Sequence, residues 1–458
     1  MKMSKLIAVP VLLMVVTSCV VPPKKADIDQ AVNTAIEAPD SWDTKIQQVE
    51  SISAEWLASF NDPVLLKLIA EGQTNNIDLK VTAANIEKAW LLAKQSGSTL
   101  KPQLDLSLNR TQSGNVAGDP TSRNVEVGLA ASWELDVWGR LRAGVKAAEA
   151  SAQAAEADYV FAQYSLSANI AKTYLQAIEA KQQANIARRN QAILEKTMGI
   201  TKLKYDNGES TGQDVALNRA DVASAREQLI QIEGTERDVL RALEVLLGRY
   251  PNAKLQLPDA LPDLPGAPPA NIPSELLERR PDIISAERKI ISAFNATSNA
   301  KAARLPRFSL TSSLGGASKS LSDVLNSTNV LWQLAANLVT PLFDGDRLLI
   351  DVEIANVEQK QAVLTYAQTT LTAFSEVETN LDQGLVLTQR ETALREVFAQ
   401  SSKASRIAEL SYKEGEISLL DVLQIQQQTF AAESNLLSIQ RSQLEQRINL
   451  YLALGGSW

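Results

Sequence analysis

Residues 205–215 read YDNGESTGQDV, and residues 412–422 read YKEGEISLLDV. Tyr, Gly, Glu, Asp and Val recur in order, each 207 positions later, as from Tyr205 to Tyr412. The register extends outward. Arg140-Leu141 matches Arg347-Leu348, and Leu247-Gly248 matches Leu454-Gly455. Further upstream the offset is 204, as from Asp78 to Asp282, Ile86 to Ile290 and Pro102 to Pro306. Solenoid repeats have periods of about 20–50 residues, so this is a duplicated half-protein rather than a repeat array. Whatever one half folds into, the other must fold into as well. The change of offset places three extra residues between Pro306 and Arg347. Insertions collect in surface loops, so a loop is expected there.

Within that interval both halves change texture. Leu104, Leu106 and Leu108 alternate with Asp105, Ser107 and Asn109, and Phe308 and Leu310 begin the same pattern in the second half. A turn-rich stretch follows each (Ser113–Arg123 and Gly315–Asn329), and then a second extended run. Val125, Val127 and Leu129 alternate, with Trp133, Leu135 and Val137 continuing on one face. Leu334, Ala336 and Leu338 are the later counterparts. Period-two runs around a polar loop predict β-hairpins, at about 103–138 and about 307–343. Runs of about ten residues with an aromatic near one end also suit a tilted membrane strand.

The rest of each half reads as helix, rich in Ala, Gln, Glu, Leu and Lys. Leu141–Tyr205 is nearly free of helix breakers and would span roughly 100 Å as one helix. Apolar residues recur every seven positions at Ile186, Ile193 and Ile200, and at Leu423, Phe430, Leu437, Leu444 and Tyr451. That spacing predicts coiled coil. Each half therefore reads helix, hairpin, long helix, turn, long helix. The expected divisions are a signal peptide at 1–18, a first repeat at 19–256 and a Pro-rich linker at 257–273. A second repeat follows at 274–458. The helix-hairpin tips fall at about 206–212 and about 413–419.

Composition narrows the chemistry. The chain has 458 residues, a net charge of −8 and no histidine. There is no basic footprint for nucleic acid, and neither the commonest general base nor the commonest metal ligand. The one cysteine is Cys19, so no zinc cluster or intrachain disulfide is expected. Lys2 and Lys5 precede an apolar core, Leu6–Val16, and small residues lead to Cys19. This is a secretory signal. Val16-Thr17-Ser18-Cys19 resembles the bacterial lipobox, in which the cysteine is acylated and becomes the mature N-terminus. Val20 follows it, which within that resemblance favours an outer-membrane anchor. One acyl chain holds only marginally, so a second membrane element is expected. No later segment offers the ~18 uninterrupted apolar residues of a membrane helix. A membrane crossing would have to be a barrel.

The recurring stretch now has a local meaning. Gly208 and Gly415 follow long helices, a common left-handed stop. Thr211 and Ser418 stand three residues before Asp214 and Asp421, the start signal in which hydroxyl and carboxylate satisfy free backbone N–H groups. Capping accounts for each Asp, and a second role can coexist with it.

Two hairpins give four strands, whereas the smallest outer-membrane barrels have about eight. An open sheet leaves unsatisfied edges in lipid, so several chains would have to close one barrel. Three chains would supply twelve strands and twelve long helices.

At this point the sequence resembles the TolC-like outer-membrane efflux proteins, in their lipoprotein (NodT-type) branch. The resemblance rests on WELDVWGRLRA (133–143), LLERRPDI (276–283), PLFDGDRL (341–348), the two tips and LALGG (452–456). It implies a trimeric twelve-stranded membrane β-barrel continuous with a twelve-helix α-helical coiled-coil barrel in the periplasm. It implies a lipid-anchored protein of the cell outer membrane, working with a periplasmic adaptor and an inner-membrane efflux pump. Drugs or other small toxic compounds would be its cargo, and it would be neither an enzyme nor a cofactor protein. By the same resemblance Leu419, Leu420 and Asp421 would form the periplasmic gate, and Asp214 and Tyr412 would restrain it. Gln424 and Ile417 depart from the family's charged residues there, so packing would carry more of the closure. Two other readings remain at this level. One is a structural coiled-coil lipoprotein of the periplasm, and the other is an outer-membrane duct for protein secretion. For the charged cluster Glu278, Arg279, Arg280 and Asp282, helix capping and ion pairing are expected rather than catalysis.

Overall fold

A computed structural model describes residues 25–35, 38–39, 41–44, 56–116, 118, 120–266, 273–324, 326 and 328–456. Cys19 and the signal segment lie outside them. The chain divides into two compact units. One comprises 1–37, 85–157 and 284–369, and the other 38–84, 158–283 and 370–458.

The first half contains α2 (Pro63–Asn75) and α3 (Ile77–Ser98), after a short α1 (Lys25–Ala35). Strands β1 (Gln103–Gly114) and β2 (Pro120–Leu135) follow, then α4 (Arg140–Asp206) and α5 (Gly212–Leu246). The second half contains α6 (Pro273–Arg279), α7 (Pro281–Ala302), β3 (Arg307–Ser318), β4 (Val330–Val339), α8 (Arg347–Glu414) and α9 (Leu419–Ala453). Helices α3 and α7 both have 22 residues, α4 and α8 have 67 and 68, and α5 and α9 both have 35. Their starting residues differ by the same two offsets as the sequence. The chain is two structural repeats.

The first unit holds a four-stranded antiparallel sheet in the order β1-β2-β3-β4. Its register puts Leu106 opposite Leu129, Leu129 opposite Leu314, and Leu314 opposite Trp332. Paired residues share a face and side chains alternate along a strand. One face therefore carries Leu104, Leu106, Leu108, Val127, Trp133, Leu310, Leu334 and Leu338. The other carries Asp105, Ser107, Asn109, Glu126, Glu134, Ser309, Thr311, Gln333 and Asn337. The alternation also locates the insertion. Apolar residues are even-numbered in β1 and β3, so the even offset of 204 preserves their face. They are odd-numbered in β2 and even-numbered in β4, which needs an odd offset such as 207. The extra residues thus enter at the β3–β4 loop.

The two joints between strand and long helix explain two quoted motifs. Asp136 accepts the backbone N–H groups of Leu141 (2.9 Å) and Arg142 (3.0 Å). Asp344 accepts that of Leu348 (3.1 Å). Each carboxylate satisfies donors that the first turn of an α-helix leaves free, at the end where negative charge is favoured.

The second unit is built on a core of Leu65, Leu68, Tyr174, Ile178, Leu243, Leu247, Leu444 and Ile448 among others. Burying each such side chain stabilises by about 1.5–3 kcal/mol. Asp62 caps α2 through the N–H groups of Val64 and Leu65, and it accepts the Tyr174 hydroxyl at 2.5 Å. Buried Arg280 donates to Asp282, to Glu376 at 2.6 Å and to the Ala453 carbonyl at 3.1 Å. The LLERRPDI cluster therefore ties the start of α7 to α8 and to the end of α9. Removing one partner would strand a buried charge, which is why such a cluster is structural.

The seven-residue series on α9 is buried, apart from half-buried Phe430. The series on α4 is kept in part, with Ile186 buried and Ile200 half-buried. Ile193 is 42% exposed, and a second buried line beside the series is Ala180, Ala187, Leu194 and Thr201. Alanine and threonine make up most of this line, and a search for large apolar residues passes over them. Among the described residues, no helix is long and apolar enough to cross a membrane.

Candidate functional site

Two features of the structure bear on function: the sheet in the first unit and the helix tips in the second. The sheet combines an exposed apolar face with two free edges. Leu104, Leu106, Trp332 and Leu334 are among the most exposed large apolar side chains of the described residues. Among those residues β1 and β4 each pair with one strand only. Such a face is stable against hydrocarbon. Unpaired edges there would cost several kcal/mol per free group unless another strand met them.

Both tips are built as the repeat requires. Gly208 and Gly415 have φ of 81° and 83°, a region open to glycine and strained for other residues. At the first tip Glu209 donates to the Lys204 carbonyl and Gly208 to that of Tyr205. At the second tip Glu416 donates to Ser411 and Gly415 to Tyr412. This double bond pattern closes the helix end. The next helix then opens on a capping box. Asp214 Oδ2 accepts from the Thr211 N–H (2.9 Å), the Thr211 hydroxyl (2.8 Å) and the Ser210 hydroxyl (3.0 Å). Asp421 Oδ2 accepts from the Ser418 N–H (3.2 Å) and hydroxyl (2.7 Å). The Thr211 N–H, then its hydroxyl, holds the Asp214 carboxyl below its ordinary pKa.

The side chains expected at the gate separate by helical phase. Leu419 is 4% exposed and packs with Leu194, Ala408, Tyr412, Val422 and Leu423. Leu420, one position on, is 64% exposed, and Asp421 is also exposed. Within the single chain Leu419 is therefore core, while Leu420 and Asp421 keep an open face. About 100° of rotation per residue separates the three consecutive side chains.

Asp214 and Tyr412, expected as a restraining pair, have other partners. Asp214 Oδ2 serves its own cap. The Tyr412 hydroxyl is buried 3.0 Å from Thr201 Oγ1. Thr201 lies at the centre of a polar knot that apolar periodicity does not signal. Its hydroxyl donates to the Thr197 carbonyl (3.0 Å) and accepts from Asn218 Nδ2 (3.1 Å). One turn away, Thr197 accepts from Gln426 Nε2 at 3.0 Å. The knot joins α4, α5, α8 and α9 through five buried polar residues. A clue in the sequence is the pair of threonines at i and i+4 within α4.

A four-stranded sheet with an exposed apolar face and long helices ending in capped tips are the features that an outer-membrane channel protein requires. The sequence profile described as "Outer membrane efflux protein" matches residues 68–249 and 272–456, and the chain belongs to that family. It is similar to the pyoverdine export outer membrane protein OpmQ of Pseudomonas aeruginosa, 30% identical over 442 residues and covering 93% of each chain. It is similar to the probable outer membrane lipoprotein SilC of Salmonella typhimurium, 28% identical over 413 residues and covering 88% of each. Among solved structures it resembles the outer-membrane channel OprN. The TM-score is 0.82 at 25% identity, covering 96% of this chain and 100% of the other.

Proposed function

We propose that the chain is the outer-membrane duct of a tripartite export assembly. Three copies share one twelve-stranded barrel, with β4 of each chain meeting β1 of the next. The observation that carries this reading is the four-stranded sheet, apolar on one face, polar on the other and open at both edges. A closed barrel satisfies those edges. The polar face then lines a water-filled path.

A periplasmic adaptor and an inner-membrane pump supply cargo and energy, and the duct is passive. Small toxic compounds, including drugs, are the cargo in this reading. With no histidine anywhere and the only cysteine at position 19, the chain lacks the commonest general base. Cys19 carries the lipid, and the signal peptide, repeats and linker divide as the sequence suggests (1–18, 19–256, 257–273, 274–458). Leu420 and Asp421, on the exposed side of the second tip, narrow the periplasmic mouth.

Conductance of the purified, lipid-modified protein in planar bilayers tests the proposal. Discrete, long-lived channel steps are expected. A protein that enters the bilayer without conducting, or never enters it, would refute the duct.

A further inference from the structure

Helices α5 and α9 flank a groove of about 680 Å³, with Asn190 and Leu194 of α4 beside it. That volume lies within the roughly 300–1,000 Å³ usual for small-molecule sites. Asp221 is the one charged residue among those that line it. Apolar contact surface comes from Leu420, Leu423 and the ring of Phe430. Gln424 and Gln427 add amide groups.

Three other carboxylates of this unit that are removed from water are answered internally. Glu244 accepts three backbone N–H groups, from Ala253, Lys254 and Leu255. Glu179 meets Arg441 and Ser438. Glu391 meets Arg395. Asp221 is half-buried, and no hydrogen bond or ion pair answers its carboxylate among the described residues. Burial accordingly pushes its pKa up. Desolvation is uncompensated there until something positive arrives.

The surroundings decide what kind of cation fits. A metal ion such as Mg²⁺ needs about six oxygen ligands in a near-ideal octahedron, and one carboxylate beside leucines and a phenyl ring does not supply them. An organic cation with an apolar body fits better. Its charge meets the carboxylate, its body meets the leucines, and an aromatic face attracts a cation further.

We propose that the α5–α9 groove binds amphiphilic organic cations, such as hydrophobic amines and quaternary ammonium or phosphonium compounds, with Asp221 as their counter-ion. The proposal rests on the export reading and gives that duct a cargo class. The groove shares Leu420 with the proposed constriction, so a bound cation sits beside the mouth.

Equilibrium dialysis of tetraphenylphosphonium against the full-length protein in detergent tests this, with bilayer conductance measured on the same preparation. Wild type is expected to bind. Asp221→Asn should weaken binding about tenfold or more, as loss of a partly desolvated charge partner does, and Asp221→Glu should restore most of it. Asp221→Asn should leave the oligomer mass unchanged, so that lost binding is not read from a misassembled protein. Absence of binding by wild type, equal binding by Asp221→Asn, or full displacement by millimolar MgCl₂ would overturn the site. Conductance without binding would overturn the site and leave the duct standing. Binding without conductance would do the reverse.

Discussion

Tyr205 and Tyr412 hold the same place in two copies of one helix-hairpin tip, and their surroundings differ. Tyr205 is 49% exposed, whereas Tyr412 is 5% exposed and bonded to Thr201. The turns and caps are alike in both copies. What differs is the helix that follows. The second tip continues Leu419-Leu420-Asp421-Val422-Leu423, whereas the first has Gly212-Gln213-Asp214-Val215-Ala216 at the same positions. Leu419, Val422 and Leu423 build a small core around Tyr412. Gly212 and Ala216 offer little to bury. Duplication thus supplied two identical turns, and a few side chains anchored one of them. Resemblance points to the second tip as the moving part of the mouth. In the structure it is also the one that packing and the polar knot hold most firmly.

Substitutions at equivalent positions sharpen or break this contrast. Tyr412→Ala should cost about 3–5 kcal/mol of local stability through a buried cavity. Tyr205→Ala should stay within about 0.5–1 kcal/mol. Hydrogen exchange at the two tips reads both, and equal effects would erase the distinction. Leu419→Ala should cost about 2–5 kcal/mol and Leu420→Ala much less, since only the first is core. A larger loss at Leu420 would mean that the helical phase is wrong. Tyr412→Phe removes one hydroxyl from the knot and should cost about 1 kcal/mol, with no matching effect for Tyr205→Phe.

The caps should be symmetrical where the cores are not. Thr211→Ala and Ser418→Ala should each cost about 1 kcal/mol, since each removes one capping hydroxyl. The first cap also has a pH signature. The Asp214 carboxyl is held below its ordinary value in the folded chain. Its stabilisation is therefore complete above the ordinary carboxylate range and is lost as pH falls through the lowered value. Amide protection over residues 208–216 should fall on acidification in that window. Protection that rises with acid would contradict the assignment.

The broad plan could be read from residues alone because it depends on periodicity. Alternation placed the hairpins, and the repeat required two of each element. The Gly and Ser/Thr-x-x-Asp signals placed the turns and caps. Features that depend on a partner across the fold could not be read that way. Ile193 scored as coiled-coil core by its apolarity, yet a buried line runs through Ala187, Leu194 and Thr201, because close helix packing favours small residues. Leu419 and Leu420 are chemically identical, and only helical phase against α4 and α8 tells them apart. Gln424 lines the α5–α9 groove. The sequence gives no sign that Asp221, some two hundred positions away, lines the same groove.

The central claim is that the open β1 and β4 edges of one chain are closed by other copies. Native mass spectrometry of the mature protein in mild detergent tests it most directly. The account predicts a complex of three chains, each carrying lipid. A stable monomer would leave two bare strand edges against the hydrocarbon, and would contradict it.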